Sequence, residues 1–338
     1  MVWKIESNGR LRVANVESLM LRAGHFILVL SVSVLLLAAS GCAWLDVKQR
    51  SIIYRPTAGV PADFSGLRSG DERYFLSLPP PAGSIDFAAP STTSITNSST
   101  HSQATARDET TTAQRVEMWW LPHPDANAPT LLYYHGTFRN LPQNLRKIDA
   151  LRESGFAVLA VDYRGWGRST VITPSEESIL QDADLAFAEL QRREPRAAQR
   201  VLYGHSMGSG VAVDVASRHR APLEYGALIL ESAITSFADV AKEAGFFAGL
   251  LARLNTQRFA SIEKIAAVQA PVLMLHGTLD TTVPIVLGQR LFAAANPPKH
   301  WLAVQGGAHS NLQQADSQQY QAALITFRST YLAAPVSK

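Results

Sequence analysis

Ser206 stands at the centre of Gly204-His205-Ser206-Met207-Gly208, directly after the short apolar run 200–203 and at the start of a helical pattern. A serine flanked by glycines two before and two after, on a strand-to-helix turn, presents its Oγ above a sheet as a nucleophile. The helix start also favours negative charge developing beside it. A serine hydroxyl is a weak nucleophile near neutral pH, so it needs a base, and the base needs a group that fixes its tautomer. Asp280 and His309 fit these roles: Asp280 ends His276-Gly277-Thr278-Leu279-Asp280 after the run 272–275, and His309 ends Gly306-Gly307-Ala308-His309 after the run 301–304. Glu231 is the competing acid, and a turn or cap before Pro284 is the structural role open to Asp280. Of the rival histidines His135, His205, His219, His276 and His300, none follows the final strand. The oxyanion of a tetrahedral intermediate needs donors; Met207 N–H and Thr137 N–H, the latter in His135-Gly136-Thr137, are the candidates. Together these groups would carry two-step acyl transfer to water, a reaction that calls for no metal and no organic cofactor.

Such a site needs a scaffold that brings distant loops to one edge. From residue 115 onwards short apolar runs alternate with helical patterns: 116–121, 130–134, 157–161, 200–203, 227–230, 272–275 and 301–304 read as strands, with helices at 175–193 and 211–218. Several strands are apolar throughout, as in a sheet buried on both faces, which predicts a mostly parallel central sheet with helices on both sides. Residues 74–78 predict another early strand, antiparallel to 116–121. Between them lies a Ser/Thr-rich stretch, at about 86–113, that reads as a flexible insertion. About forty residues separate Glu231 from the strand at 272 and include Phe237, Val240, Ala244, Phe247 and Leu251 at helical spacing. That leaves room for a small lid or none, with Phe246 or Phe259 as an apolar wall of an open site.

The chain resembles an α/β-hydrolase over roughly residues 50–335, and within that superfamily the Bem46-like group of serine hydrolases with its acyl-protein thioesterase-like members. The matching pieces are Tyr134-His135-Gly136, Asp162-Tyr163-Arg164-Gly165-Trp166-Gly167-Arg168-Ser169, Gly204 to Gly208, His276 to Asp280 with Val283-Pro284, and Gly307-Ala308-His309. Thr137 and Arg139 stand where that group usually has asparagine and glycine. The resemblance implies the α/β-hydrolase fold and a triad in the chain order Ser206, Asp280, His309. The segment 162–169 lacks the lysine and spacing of a phosphate-binding loop. It reads as structural, with Asp162 and Arg164 bracing the site's edge and Trp166 lining it.

The N-terminal region has a different character. Residues 26–39 are apolar apart from Ser31 and Ser33, follow Arg22, and lead into Ala39-Ser40-Gly41-Cys42. Such a run spans about 21 Å as a helix, short of the roughly 30 Å of a bilayer core, so it reads as a secretory signal, 1–41, ending in a lipobox. Cys42, the sole cysteine of the 338 residues, would then be lipidated and open a single α/β-hydrolase domain, 42–338. The net charge of +3 is concentrated in this leader, where Lys4, Arg10, Arg12 and Arg22 face Glu6 and Glu17, leaving the body at about +1. A near-neutral body gives no electrostatic argument for nucleic acid. The reading is therefore a serine esterase or thioesterase acting on a small or lipid-like acyl ester, anchored in a bacterial cell envelope through Cys42. A serine peptidase for small peptides and a catalytically idle binding lipoprotein are the alternatives.

Overall fold

The computed structural model describes residues 28, 31, 44–78, 113–245 and 255–332. Cys42, most of the leader, nearly all of the Ser/Thr-rich insertion, and Phe246, Phe247 and Leu251 lie outside these residues. The chain divides into two units, Met1–Ile52 and Ile53–Lys338. Residues 44–52, in the first, are helical. No helix among the described residues is long and apolar enough to cross a membrane.

The second unit is organised by an eight-stranded sheet in the order β1-β2-β4-β3-β5-β6-β7-β8. The strands are β1 (Glu72–Ser77), β2 (Arg115–Leu121), β3 (Thr130–Tyr134), β4 (Ala157–Asp162), β5 (Arg200–His205), β6 (Ala227–Glu231), β7 (Val272–Gly277) and β8 (Lys299–Val304). As predicted, β1 pairs antiparallel with β2, Tyr74 opposite Met118. From β4 to β8 every pairing is parallel. Leu78 N–H donates to Gln114 O at 2.8 Å, so the ends flanking the insertion are tied together.

Alternation along the strands sends successive side chains to opposite faces, and each face has its own core. Leu132, Tyr134, Leu202, Leu228 and Met274 pack on one side, with Ile179 and Phe187 of α2 (Glu176–Arg193) and Val211 and Val215 of α3 (Met207–Arg218). Leu131, Tyr133, Val201, Ile229 and Leu275 pack on the other, with Ile148 and Leu151 of α1 (Leu141–Glu153) and Leu324 and Phe327 of the C-terminal helix Ser317–Tyr331. Each fully buried aliphatic side chain contributes about 1.5–3 kcal/mol relative to exposure, which explains why these strands are apolar on both faces.

Local signals set the helix starts. Asn140 caps α1 in a capping box with Gln143, and its Nδ2 also donates to Gly59 O at 2.9 Å. Ser175 caps α2, whose first turn holds Glu176 and Glu177 and whose last holds Arg192 and Arg193, complementing the helix dipole. The apolar pattern beginning at Phe237 yields a helix over Phe237–Glu243, where Phe237 and Val240 pack against the core.

Candidate active site

The strand β5 runs directly into α3, and Ser206 is the residue at the bend, with φ 57° and ψ −123°. This left-handed backbone is costly for a residue with a side chain and persists only where the surroundings enforce it. The two glycines of the motif provide that enforcement. A Cβ at Gly204 would stand 2.2 Å from Gly208 O, and one at Gly208 would stand 2.1 Å from Tyr134 O, so the turn is tighter than any other residue type allows. Ser206 N–H donates to Glu231 O at 3.0 Å, which pins the bend to the neighbouring strand β6.

The structure brings Ser206, Asp280 and His309 together. His309 Nε2 lies 2.9 Å from Ser206 Oγ and its Nδ1 lies 2.8 Å from Asp280 Oδ2. The loops carrying the acid and the base are joined to each other: Leu279 N–H donates to Gly307 O at 2.8 Å and Thr278 N–H to Val304 O at 3.1 Å. Asp280 Oδ1 accepts from the N–H groups of Thr282 and Val283 at 3.0 and 2.8 Å. Burial pushes this carboxyl upward, but the His309 hydrogen bond and charge and the Val283 N–H outweigh it and hold it below its usual range. An ionised acceptor there fixes the proton on Nδ1 and leaves Nε2 to accept the serine proton.

On the other flank of the nucleophile runs the turn His135-Gly136-Thr137. A Cβ on Gly136 would stand 3.0 Å from Ser206 Cβ, so the peptide leading to Thr137 passes beside the nucleophile, while Met207 opens α3 immediately after it. First-turn N–H groups of a helix have no intrahelical acceptor and are available to an oxyanion. Asp162 braces this turn, its Oδ1 lying 3.3 Å from His135 Nε2 and accepting from Leu141 N–H at 3.0 Å.

Several neighbouring residues differ from the sequence-based expectation. Trp166 does not line the site; it is fully buried beneath the turn, edge-on to Tyr54 and His135. Arg164 holds α2, its Nε donating to Asp182 Oδ1 at 2.7 Å. Phe259 does not form a site wall; it is 2% exposed and packs on Tyr54 and Phe237, contacts between segments far apart in sequence. Glu231 is not the acid of the constellation. It is fully buried, bonded by the Lys147 ammonium and the Tyr203 hydroxyl, and accepts from Tyr320 Oη at 2.9 Å.

Two of the rival histidines, His205 in the elbow and His276 at the end of β7, make structural hydrogen bonds that position the site. His205 Nε2 meets His309 O at 2.8 Å, to which Ser232 Oγ also donates at 3.2 Å. Burial, reinforced by the charges of Lys147 and His309, holds His205 far below the usual histidine range, so its ring is neutral and Nε2 carries the donated proton. His276 Nε2 meets Val283 O at 2.8 Å and stabilises the turn beyond Asp280; burial lowers its pKa as well. Beside His309 opens a cleft of about 950 Å³ whose lining includes Asp63, Gln143, Arg139, Arg146 and Ser310. Among the described residues no cluster of His, Cys, Asp and Glu is disposed to hold a metal ion.

The comparisons with known proteins agree with this geometry. An uncharacterised protein of Mycobacterium tuberculosis is 32% identical over 290 residues, covering 84% of this chain and 89% of its own. Residues 126–264 match the hydrolase family model described as serine aminopeptidase, S33. This chain belongs to the α/β-hydrolase family. The zebrafish lysophosphatidylserine lipase ABHD12 is 32% identical over 200 residues, covering 54% of this chain and 51% of that protein. Among solved structures, a Pyrococcus furiosus esterase superimposes with a TM-score of 0.52 at 17% identity over 65% of this chain and 89% of its own. The Penicillium α/β-hydrolase GrgF gives 0.53 at 16% identity over 66% of this chain and 96% of its own.

Proposed function

We propose that this α/β-hydrolase cleaves carboxylic esters through an acyl-enzyme on Ser206. The observation that carries the reading is the placement of the His309 ring between Ser206 Oγ and Asp280 Oδ2, at 2.9 and 2.8 Å. His309 Nε2 takes the Ser206 proton as Oγ attacks the acyl carbon. Asp280 holds the imidazolium, and Met207 and Thr137 N–H receive the oxyanion. The proton on Nε2 then passes to the departing oxygen as its bond to the acyl carbon breaks, and water repeats the sequence in reverse to free the acid.

Support for an ester substrate comes from relatives and from shape. The matched lipase and the structurally similar esterase carry names that specify ester hydrolysis. The strands and loops leave a cleft beside His309 with room for a substantial alcohol or acyl group. Membership of the Bem46-like group and attachment to a bacterial envelope through lipidated Cys42 belong to the same proposal. They rest on the motif set and on the apolar run that precedes Ala39-Ser40-Gly41-Cys42. The family model carries the description serine aminopeptidase, so hydrolysis of small peptides by the same serine is the reading from which the test must separate this one.

A panel of matched butyryl esters, butyryl thioesters and N-terminal peptide amides, assayed with wild type and Ser206→Ala, tests this directly. Serine-dependent turnover of the esters is expected. Turnover of the peptide amides alone, or ester turnover that persists in Ser206→Ala, contradicts it.

A further inference from the structure

The cleft beside His309 carries an excess of positive charge. Arg139, Arg146 and Lys147 line it against one carboxylate, Asp63. Lys147 is committed elsewhere: it is buried, bonded to Glu231, and its Nζ lies 3.0 Å from Gln313 Oε1. Arg139 and Arg146 are exposed, and among the described residues neither guanidinium is held in an ion pair. They bracket the first turns of α1, which also lines the cleft through Pro142 and Gln143 and has no acidic side chain in its first turn. The helix dipole therefore adds to the same sign of charge. With the body of the chain near +1, this concentration is local rather than a share of a generally basic surface.

The position of the cleft selects which half of a substrate it meets. When the tetrahedral intermediate collapses, the proton that left Ser206 Oγ moves from His309 Nε2 to the alcohol oxygen as the acyl carbon–oxygen bond breaks. The alcohol half must therefore lie against His309, and His309 lines this cleft while Ser206 does not. We propose that the cleft holds the alcohol half of an acyl ester, and that Arg139 and Arg146 bind an oxyanion, phosphate or carboxylate, carried on it. The inference rests on the ester-hydrolase reading above and narrows it to acyl esters of anionic alcohols. Paired N–H donors of a guanidinium match two oxygens of either anion, and two such groups at the rim distinguish a charged alcohol from a neutral one of the same size.

The test compares kcat/KM for 1-butyrylglycerol and 1-butyrylglycerol 3-phosphate with the purified full chain. Wild type is expected to prefer the phosphorylated ester, with the preference weakening as salt rises. In Arg139→Ala and in Arg146→Ala the ratio between the two esters falls about tenfold, mainly through KM, as expected for the loss of one charge-assisted contact. Arg146→Lys keeps part of the ratio. Equal turnover of the two esters by wild type, or a ratio unchanged in both alanine variants, overturns the inference. Absence of hydrolysis of either ester overturns it too; a fluorophosphonate adduct on Ser206 in the same sample then shows that the ester-hydrolase reading survives alone. The palmitoyl counterparts locate the source of the anion. A preference of the same size in both chain lengths assigns recognition to the phosphate itself, and one that is larger for the palmitoyl esters in mixed micelles than for the butyryl esters assigns it to a lipid headgroup; either supports the proposal.

Discussion

The ring of His205 meets the backbone carbonyl of His309 at 2.8 Å, so the residue that precedes the nucleophile holds the loop of the base. One turn of chain thereby sets both partners of the proton transfer. The strained Ser206 fixes Oγ, and its neighbour fixes the height of the imidazole above it.

Burial keeps His205 neutral in the fold, while an unfolded chain would protonate it below its ordinary value of 6.5. The unfolded state then binds more protons than the native one, so this group's contribution to stability is present above that pH and is lost as pH falls below it. The slope is about 1.4 kcal/mol per pH unit for one such histidine. Thermal melts of wild type and His205→Gln between pH 5 and pH 8 check this. The glutamine variant is expected to lose less stability on acidification, and parallel curves would refute the assignment.

Asp280 orients His309 from one oxygen and is itself held by two backbone N–H groups on the other. Asp280→Asn is expected to keep the fold, because an amide oxygen still accepts those N–H groups. Its kcat on a soluble ester should fall roughly 10⁴-fold through the wrong imidazole tautomer. A loss confined to KM would show that the carboxylate acts on binding instead.

Gly208 is the position where the elbow tolerates no side chain, its added Cβ standing 2.1 Å from Tyr134 O. The atoms it would meet, Tyr134 O and C and His135 O, are all backbone and leave little room to relax. Gly208→Ala should cost about 2–4 kcal/mol by urea denaturation and lower kcat more than KM. Wild-type stability in that variant would mean a looser turn.

The alternation of apolar runs made the sheet legible, because strands buried on both faces such as 130–134 and 227–230 have no polar side to confuse their length. The order of Ser206, Asp280 and His309 was equally legible, since each follows its own strand at the same sheet edge. What the linear pattern did not carry was burial decided by distant segments. Trp166 and Phe259 read as residues of an open site until Tyr54, more than a hundred residues upstream, covers them both. The Lys147–Glu231 pair joins residues 84 apart in sequence, and neither residue's local context announces the other.

That pair yields its own expectation. Removing one partner leaves an uncompensated charge beneath the nucleophile, so Lys147→Met and Glu231→Gln should each cost about 3–5 kcal/mol. The double variant is expected to cost less than the sum of the two, because each change removes the other's unpaired charge. Chemical denaturation of the four proteins provides the cycle; additive losses would show that the two groups do not interact.

The most direct test of the account is the intact mass of the purified protein after treatment with a fluorophosphonate. Wild type is predicted to gain a single adduct, Ser206→Ala none, and His309→Ala to react at least a hundredfold more slowly, as general-base assistance is lost. A folded wild-type protein that gains no adduct, or an adduct that persists in Ser206→Ala, would contradict a hydrolase built on Ser206, His309 and Asp280.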